Sequence, residues 1–170
     1  MSINRELNLE MPLQDIRHEA VLNIVRTAAV MSNTGALLFR RFGLTEAQFN
    51  VLFSLKFNPT KVTQSDLGKR LVVTRASITS VLDKLESKGL VERKDVSGDR
   101  RMNHVRLTEA GKRLVDEVEP FYRENLKAVT KGLSDQDCAA LIRLLEQVRD
   151  RTWELQDSLS ETGSKTQERV

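Results

Sequence analysis

The chemistry that this sequence makes available is concentrated in two short stretches, Thr74–Lys84 and Asp99–Arg101. The first brings together Thr74, Arg75, Ala76, Ser77, Thr79, Ser80 and Lys84. Wound as a helix, it puts Ile78, Val81, Leu82 and Leu85 on one face. Ala76, Ser80, Asp83 and Ser87 fall on the other, flanked by Thr79 and Lys84. Small side chains let a helix come close to a polar surface, and hydroxyls can donate to or accept from base edges and phosphates. The methyls of Ala76 and Thr79 suit a thymine methyl, and Arg75 suits a guanine edge or a phosphate. The second stretch sets Arg100 and Arg101 beside Asp99. Guanidinium groups on a β-loop next to such a helix are drawn to the negative potential of a narrow minor groove. Asp99 is placed either to hold Arg101 extended or to cap the turn. Each stretch alone also fits an ordinary solvated surface; their sequence neighbours decide the matter.

The elements that must position these groups announce themselves through their ends. Thr45-Glu46-Ala47-Gln48 reads as a capping box, and Asn58-Pro59 stops the helix that follows. Thr63-Gln64-Ser65-Asp66 repeats the device for a short helix to about Arg70. Thr74 caps the next helix, and Gly89 suits the left-handed position that closes it. From Leu90 to Leu107 the period changes to two: Val91 and Arg93 alternate with Glu92 and Lys94, and Val105 and Leu107 with His104 and Arg106. Ser97-Gly98-Asp99 supplies the turn, so the segment reads as a two-stranded hairpin. Helix, tight turn, second helix and basic hairpin together make a winged helix-turn-helix, over residues 45–108.

The flanks are helical by pattern. Residues 13–41 show Leu13, Ile16, Ala20, Val21, Ile24, Val25 and Ala28 at helical spacing, with Gly35 a candidate break. A helix from about Glu109 to Lys131 carries Leu114, Val115, Val118, Phe121, Tyr122, Leu126 and Val129. Ser134-Asp135-Gln136-Asp137 caps a last helix, about 135–157, with Cys138, Leu141, Ile142, Leu145, Val148 and Leu155. These stripes are long for the chain, so residues 13–41 and 109–157 are expected to meet a second copy. The polar tail 158–170, with Gly163-Ser164, is expected to be disordered.

Composition sets the outer limits. The sequence has 170 residues, 39% hydrophobic and 30% charged, which suits one globular domain or two fused ones. The formal net charge is +3, but residues 61–113 alone hold 13 Lys/Arg against 7 Asp/Glu. Positive charge on the same segment as the motif points to a phosphate-rich partner, double-stranded DNA. A single cysteine, Cys138, excludes an internal disulfide and fits a cytoplasmic location. No uninterrupted apolar run and no apolar core behind the first residues suggest a membrane span or a secretory peptide. No nucleophile–base pair, metal cluster or phosphate-binding glycine loop is legible, so neither an enzyme nor a cofactor is expected.

On these residues the chain resembles the MarR family of bacterial transcription regulators. The likeness runs from about Ile16 to Trp153. It includes Phe42-Gly43-Leu44-Thr45, Gln48-Phe49-Asn50-Val51-Leu52, the helix-turn-helix, Leu85 to Arg93, and Asp99-x-Arg101 followed by Val105-x-Leu107-Thr108-x-x-Gly111. The resemblance implies a mainly α homodimer whose terminal helices intertwine, with Thr74–Lys84 as recognition helix and Arg101 as the minor-groove arginine. It implies a pseudo-palindromic promoter site and, as in many members, release by a small, often aromatic and anionic, compound bound between the dimer helices and the DNA-binding lobe; repression is the expected sign, with activation left open. The cationic candidates for that compound are Arg17, Arg26, Arg40, Arg41 and Arg113, with His18 beside them.

The chain departs from members that sense peroxide, because residues 13–41 lack a cysteine. Cys138 lies on an apolar stripe, where a buried inert thiol is the simpler reading. His18 and His104 stand in distant segments, so no regulatory metal is expected. Trp153 reads as an interface residue. Two alternatives stay open: a winged-helix module that contacts protein instead of DNA, and redox control through Cys138.

Overall fold

The computed structural model describes residues 3–8, 10–11, 13–58, 62–71, 73–96 and 99–167; for residues 4, 95–96, 99–103 and 162–167 it describes the backbone alone. In chain order the elements are α1 (Ile3–Glu6), α2 (Ile16–Arg40), α3 (Glu46–Phe57), β1 (Val62–Thr63), α4 (Gln64–Arg70), α5 (Arg75–Ser87), β2 (Val91–Val96), β3 (Asp99–Leu107), α6 (Glu109–Val129) and α7 (Asp135–Gln167). The chain is mainly α with a small antiparallel sheet, as expected.

The caps form as the sequence proposes. At α3, Thr45 Oγ1 accepts from the Gln48 N–H at 3.2 Å while Gln48 Oε1 accepts from the Thr45 N–H at 3.0 Å. At α4, Thr63 and Asp66 exchange the same pair of bonds. The Thr63 hydroxyl and N–H together hold the Asp66 carboxyl below the usual carboxylate range. Thr74 caps α5 through the Ser77 N–H, and Gly89 adopts φ +67° just beyond its end. Ser134 and Asp137 cap α7 reciprocally.

The sheet corrects the hairpin reading. It has three strands in the order β1-β3-β2, because Val62 and Thr63 pair with Val105 and His104. Two residues carry too little periodicity to be read as a strand, and their pairing is set by a partner forty residues away. The hairpin register runs from Val91↔Leu107 to Lys94↔His104, with an irregularity at Asp95/Val96.

Contacts divide the chain into two compact units, Met1–Tyr122 and Arg123–Val170. The division does not follow the expected boundary after Thr108. The first turns of α6 belong to the winged-helix core, into which Val115 and Val118 are buried with Phe49, Val51, Leu52, Leu67, Ile78, Leu82 and Leu85. Phe39 stacks on Phe49 with centroids 4.3 Å apart. Gly111 is mandatory there, since a Cβ at this position would lie 2.0 Å from the Leu90 carbonyl oxygen. Leu90 O also accepts from the Thr108 N–H, and the Thr108 hydroxyl donates to Gly89 O. These contacts tie the end of α5 to the start of α6. Pro120 stands inside α6 and removes one rung of its ladder.

Three further expectations need correction. Gly35 does not break α2, which runs unbroken from Ile16 to Arg40; one interior glycine costs only about 1 kcal/mol. α2 is, by length and composition alone, long and apolar enough to cross a membrane, contrary to the reading of no such segment. Scattered polar residues such as Asn23 and Arg26 hide this in a search for an uninterrupted run. Residues 158–167 are helical and not a disordered tail, because α7 continues through Gly163 to Gln167; residues 168–170 lie outside the described ones. Helix extension adds a bond for each residue fixed, and Leu155 and Leu159 carry the apolar stripe onward. In α7 itself no described residue is buried, and Leu141, Ile142, Leu144, Val148, Trp153, Leu155 and Leu159 are exposed.

Candidate nucleic-acid interface

The hydrophobic half of α5 is fixed first. Ile78, Leu82 and Leu85 are fully buried, which forces the opposite half outward. Thr74, Arg75, Ala76, Ser77, Ser80, Asp83, Lys84 and Ser87 are all exposed, and Thr79 is half-buried. The expected outer face is therefore the observed one.

Its hydroxyls are not equivalent. Thr74 Oγ1 and Ser77 Oγ lie 2.9 Å apart, and Ser87 Oγ donates to Lys84 O. Thr79 Oγ1 donates to Arg75 O at 2.8 Å and accepts from Gln64 Nε2 at 2.5 Å. Thr79 thus joins α4 to α5, a bracing role that its place on the helical wheel does not reveal. Arg75, Ser80 and Lys84 have no side-chain partner among the described residues. They are the groups left free for an external acceptor.

The hairpin base is anchored on α5. Arg93 reaches Asp83 at 2.6 Å and Glu86 at 2.5 Å, and its backbone N–H donates to Glu86 Oε1. Burial would lower the Arg93 pKa, but the bonds to Asp83 and Glu86 outweigh it and hold the guanidinium above its ordinary value. Sequence reasoning missed Gln64, Arg93 and Glu86 as site residues. The signal for Arg93 was present in the alternation, which puts it on the same strand face as Val91. The backbone of Asp99–Arg101 forms the start of β3. The side chains of Asp99, Arg100 and Arg101 lie outside the described residues.

The proposed effector cations are not gathered at one place. Arg17, His18, Arg40 and Arg113 are exposed. Arg26 pairs with Glu6 at 2.5 Å, and the Arg41 guanidinium lies 5.7 Å from the Phe121 ring centroid. A cleft of about 670 Å³ opens elsewhere, between the end of α3, β3 and the start of α6. Its charged lining is internally paired: Lys56 with Asp116, Arg106 with Glu92, and Lys112 with Glu109. Bonds to Asp116 and Glu119 raise the Lys56 pKa. Among the described residues no cluster of His, Cys, Asp and Glu could hold a metal ion.

The helix-turn-helix braced by Gln64–Thr79, together with β2 and the start of β3, lies in the span 42–102. Residues 42–102, about a third of the chain, match the model of the MarR family. Solved MarR-family structures share its fold. A MarR/EmrR family transcriptional regulator from Acinetobacter sp. ADP1 is 20% identical, with a TM-score of 0.75 over 82% of this chain and 99% of that one. MepR from S. aureus, in a complex with DNA, is 22% identical, with a TM-score of 0.70 over 76% and 93%. BpsR from Bordetella bronchiseptica, whose DNA binding is regulated by 6-hydroxynicotinic acid, is 26% identical, with a TM-score of 0.64 over 76% and 98%.

Proposed function

We propose that this chain is a MarR-family regulator, a homodimeric, cytoplasmic repressor that binds a pseudo-palindromic double-stranded DNA site. The observation that carries this reading is the outward face of α5. Arg75, Ser80 and Lys84 are free there, small neighbours permit close approach, and a hairpin rich in arginine is fastened alongside. The local excess of 13 Lys/Arg over 7 Asp/Glu in residues 61–113 supplies the phosphate attraction. Residues 13–41 and 109–157 serve dimerisation, which would present the two α5 helices about one DNA turn (~34 Å) apart.

The test is a binding titration against a duplex that the protein selects from a random library. If the dimer neutralises roughly 6–10 phosphates, log K against log salt falls with a slope of about −5 to −9. Arg101→Ala weakens binding by about 1–3 kcal/mol with the dimer still folded, and Arg100→Ala by less. A slope near zero, or negligible losses for both arginines, removes DNA from the reading and leaves a protein-interaction module.

For release, we infer a small anionic aromatic effector. Support comes from the exposed arginines Arg17, Arg40 and Arg113 and from the regulation of the relative BpsR by such a compound. 6-Hydroxynicotinate or salicylate should then loosen the DNA complex and raise the melting temperature of the free protein. If neither does, and oxidant releases DNA from the parent but not from Cys138→Ser, redox control replaces the ligand.

A further inference from the structure

Arg93 occupies an unusual place for a charge. On β2 it shares a face with the buried Val91, and across the ladder it stands opposite the buried Val105. An apolar side chain would continue that face inward. The guanidinium instead retains only 20% of its exposure and splits its fork between Asp83 Oδ1 and Glu86 Oε2, one helical turn apart. Glu86 also accepts the Arg93 backbone N–H at 3.2 Å, so a single carboxylate grips both strand and side chain. A second ion pair among the described residues of the hairpin, Glu92–Arg106, joins strand to strand, is about half exposed and does not involve α5. Such a surface pair is worth little, whereas a half-buried charge held by two partners is costly to disturb.

Asp83 lies on the outward face of α5, where a free carboxylate would repel phosphate. We propose that Arg93 is a positioning residue for DNA recognition: it clamps α5 to the base of the hairpin and draws Asp83 and Glu86 away from an approaching duplex. This rests on the DNA-binding reading above. The clamp fixes the separation between a helix meant for one groove and a hairpin meant for the next, so its main consequence is discrimination between sequences. Lysine cannot replace it, because one ammonium cannot present two coplanar donors to two carboxylates.

The test compares the affinity of the full chain for its selected duplex with that for a scrambled duplex of equal length and composition. Asp83→Asn with Glu86→Gln releases the clamp while making each chain more positive. Affinity for the scrambled duplex should hold or rise, and the selected-to-scrambled ratio should fall about tenfold, at an unchanged fold by circular dichroism. Arg93→Lys, which keeps the charge, should lower the ratio in the same direction. Either folded variant retaining the parental ratio overturns the clamp, and Arg93→Lys carries the test if the double variant does not fold. A parent protein that shows no preference for any selected duplex overturns the DNA reading itself, which is a distinct result.

Discussion

The two units of this chain solve the burial problem in opposite ways. Residues up to Tyr122 enclose a core of their own, with Val51, Leu52, Leu67, Leu82, Leu85, Val115 and Val118 entirely shielded from solvent. The unit from Arg123 onward has α7 for its main element, and leaves Leu141, Ile142, Leu144, Val148, Trp153, Leu155 and Leu159 in contact with water. α2 resembles the second case, with Ile16, Val21, Val25, Val30 and Leu37 exposed and only Leu38 and Phe39 buried. Exposed apolar residues in such number suit an association surface. The difference teaches that the winged-helix core closes within one chain, whereas α2 and α7 leave their apolar residues open, as the proposed second copy would require.

The largest effect should follow from removing residues 134–170. That deletion leaves the winged-helix core intact but takes away α7, so dimer and DNA binding should vanish together in sedimentation and gel-shift measurements. A truncated monomer that still bound the selected duplex would break the comparison. Next in size, Leu82→Ala cuts a fully buried side chain and should cost about 2–5 kcal/mol, independent of protein concentration. Leu141→Ala should instead lower the melting temperature in a concentration-dependent way, because the burial it removes arises only on association. Equal concentration dependence in the two variants would show that both regions depend on the partner alike. The smallest effect concerns acid. Asp66 titrates lower when folded than when unfolded, so its bond with Thr63 stabilises the protein above the unfolded pKa, about 3.9, and is lost as pH falls through the folded value. The stability gap between the parent and Thr63→Ala should therefore narrow on acidification in urea melts. A gap that stayed constant or widened would remove Asp66 from the cap.

What could be read from the sequence was mostly what is decided locally. The boxes at Thr45/Gln48 and Thr63/Asp66 are bonds between residues three apart, and Gly89 marks its own positive φ. The outer face of α5 was legible because four apolar residues fixed the inner one. Features that depend on distant partners were not. β1 exists through Val105 and His104, the cleft through the meeting of Lys56, Arg106 and Asp116, and the Arg93 fork through α5. The α7 extension was missed for a different reason, since Gly163 and a polar composition signal disorder locally while a long preceding helix favours continuation.

Pro120 gives α6 an uneven stiffness. Its first turn is stitched to Leu90 through Thr108 and pressed against it at Gly111, so that end cannot yield. Four residues beyond Asp116, the proline has no N–H to return to that carbonyl, and the helix loses a rung two residues before the boundary at Tyr122. A rod held at one end and notched along its length bends at the notch. Bending of α6 would be taken up near Asp116–Pro120, sparing the junction where α5 ends.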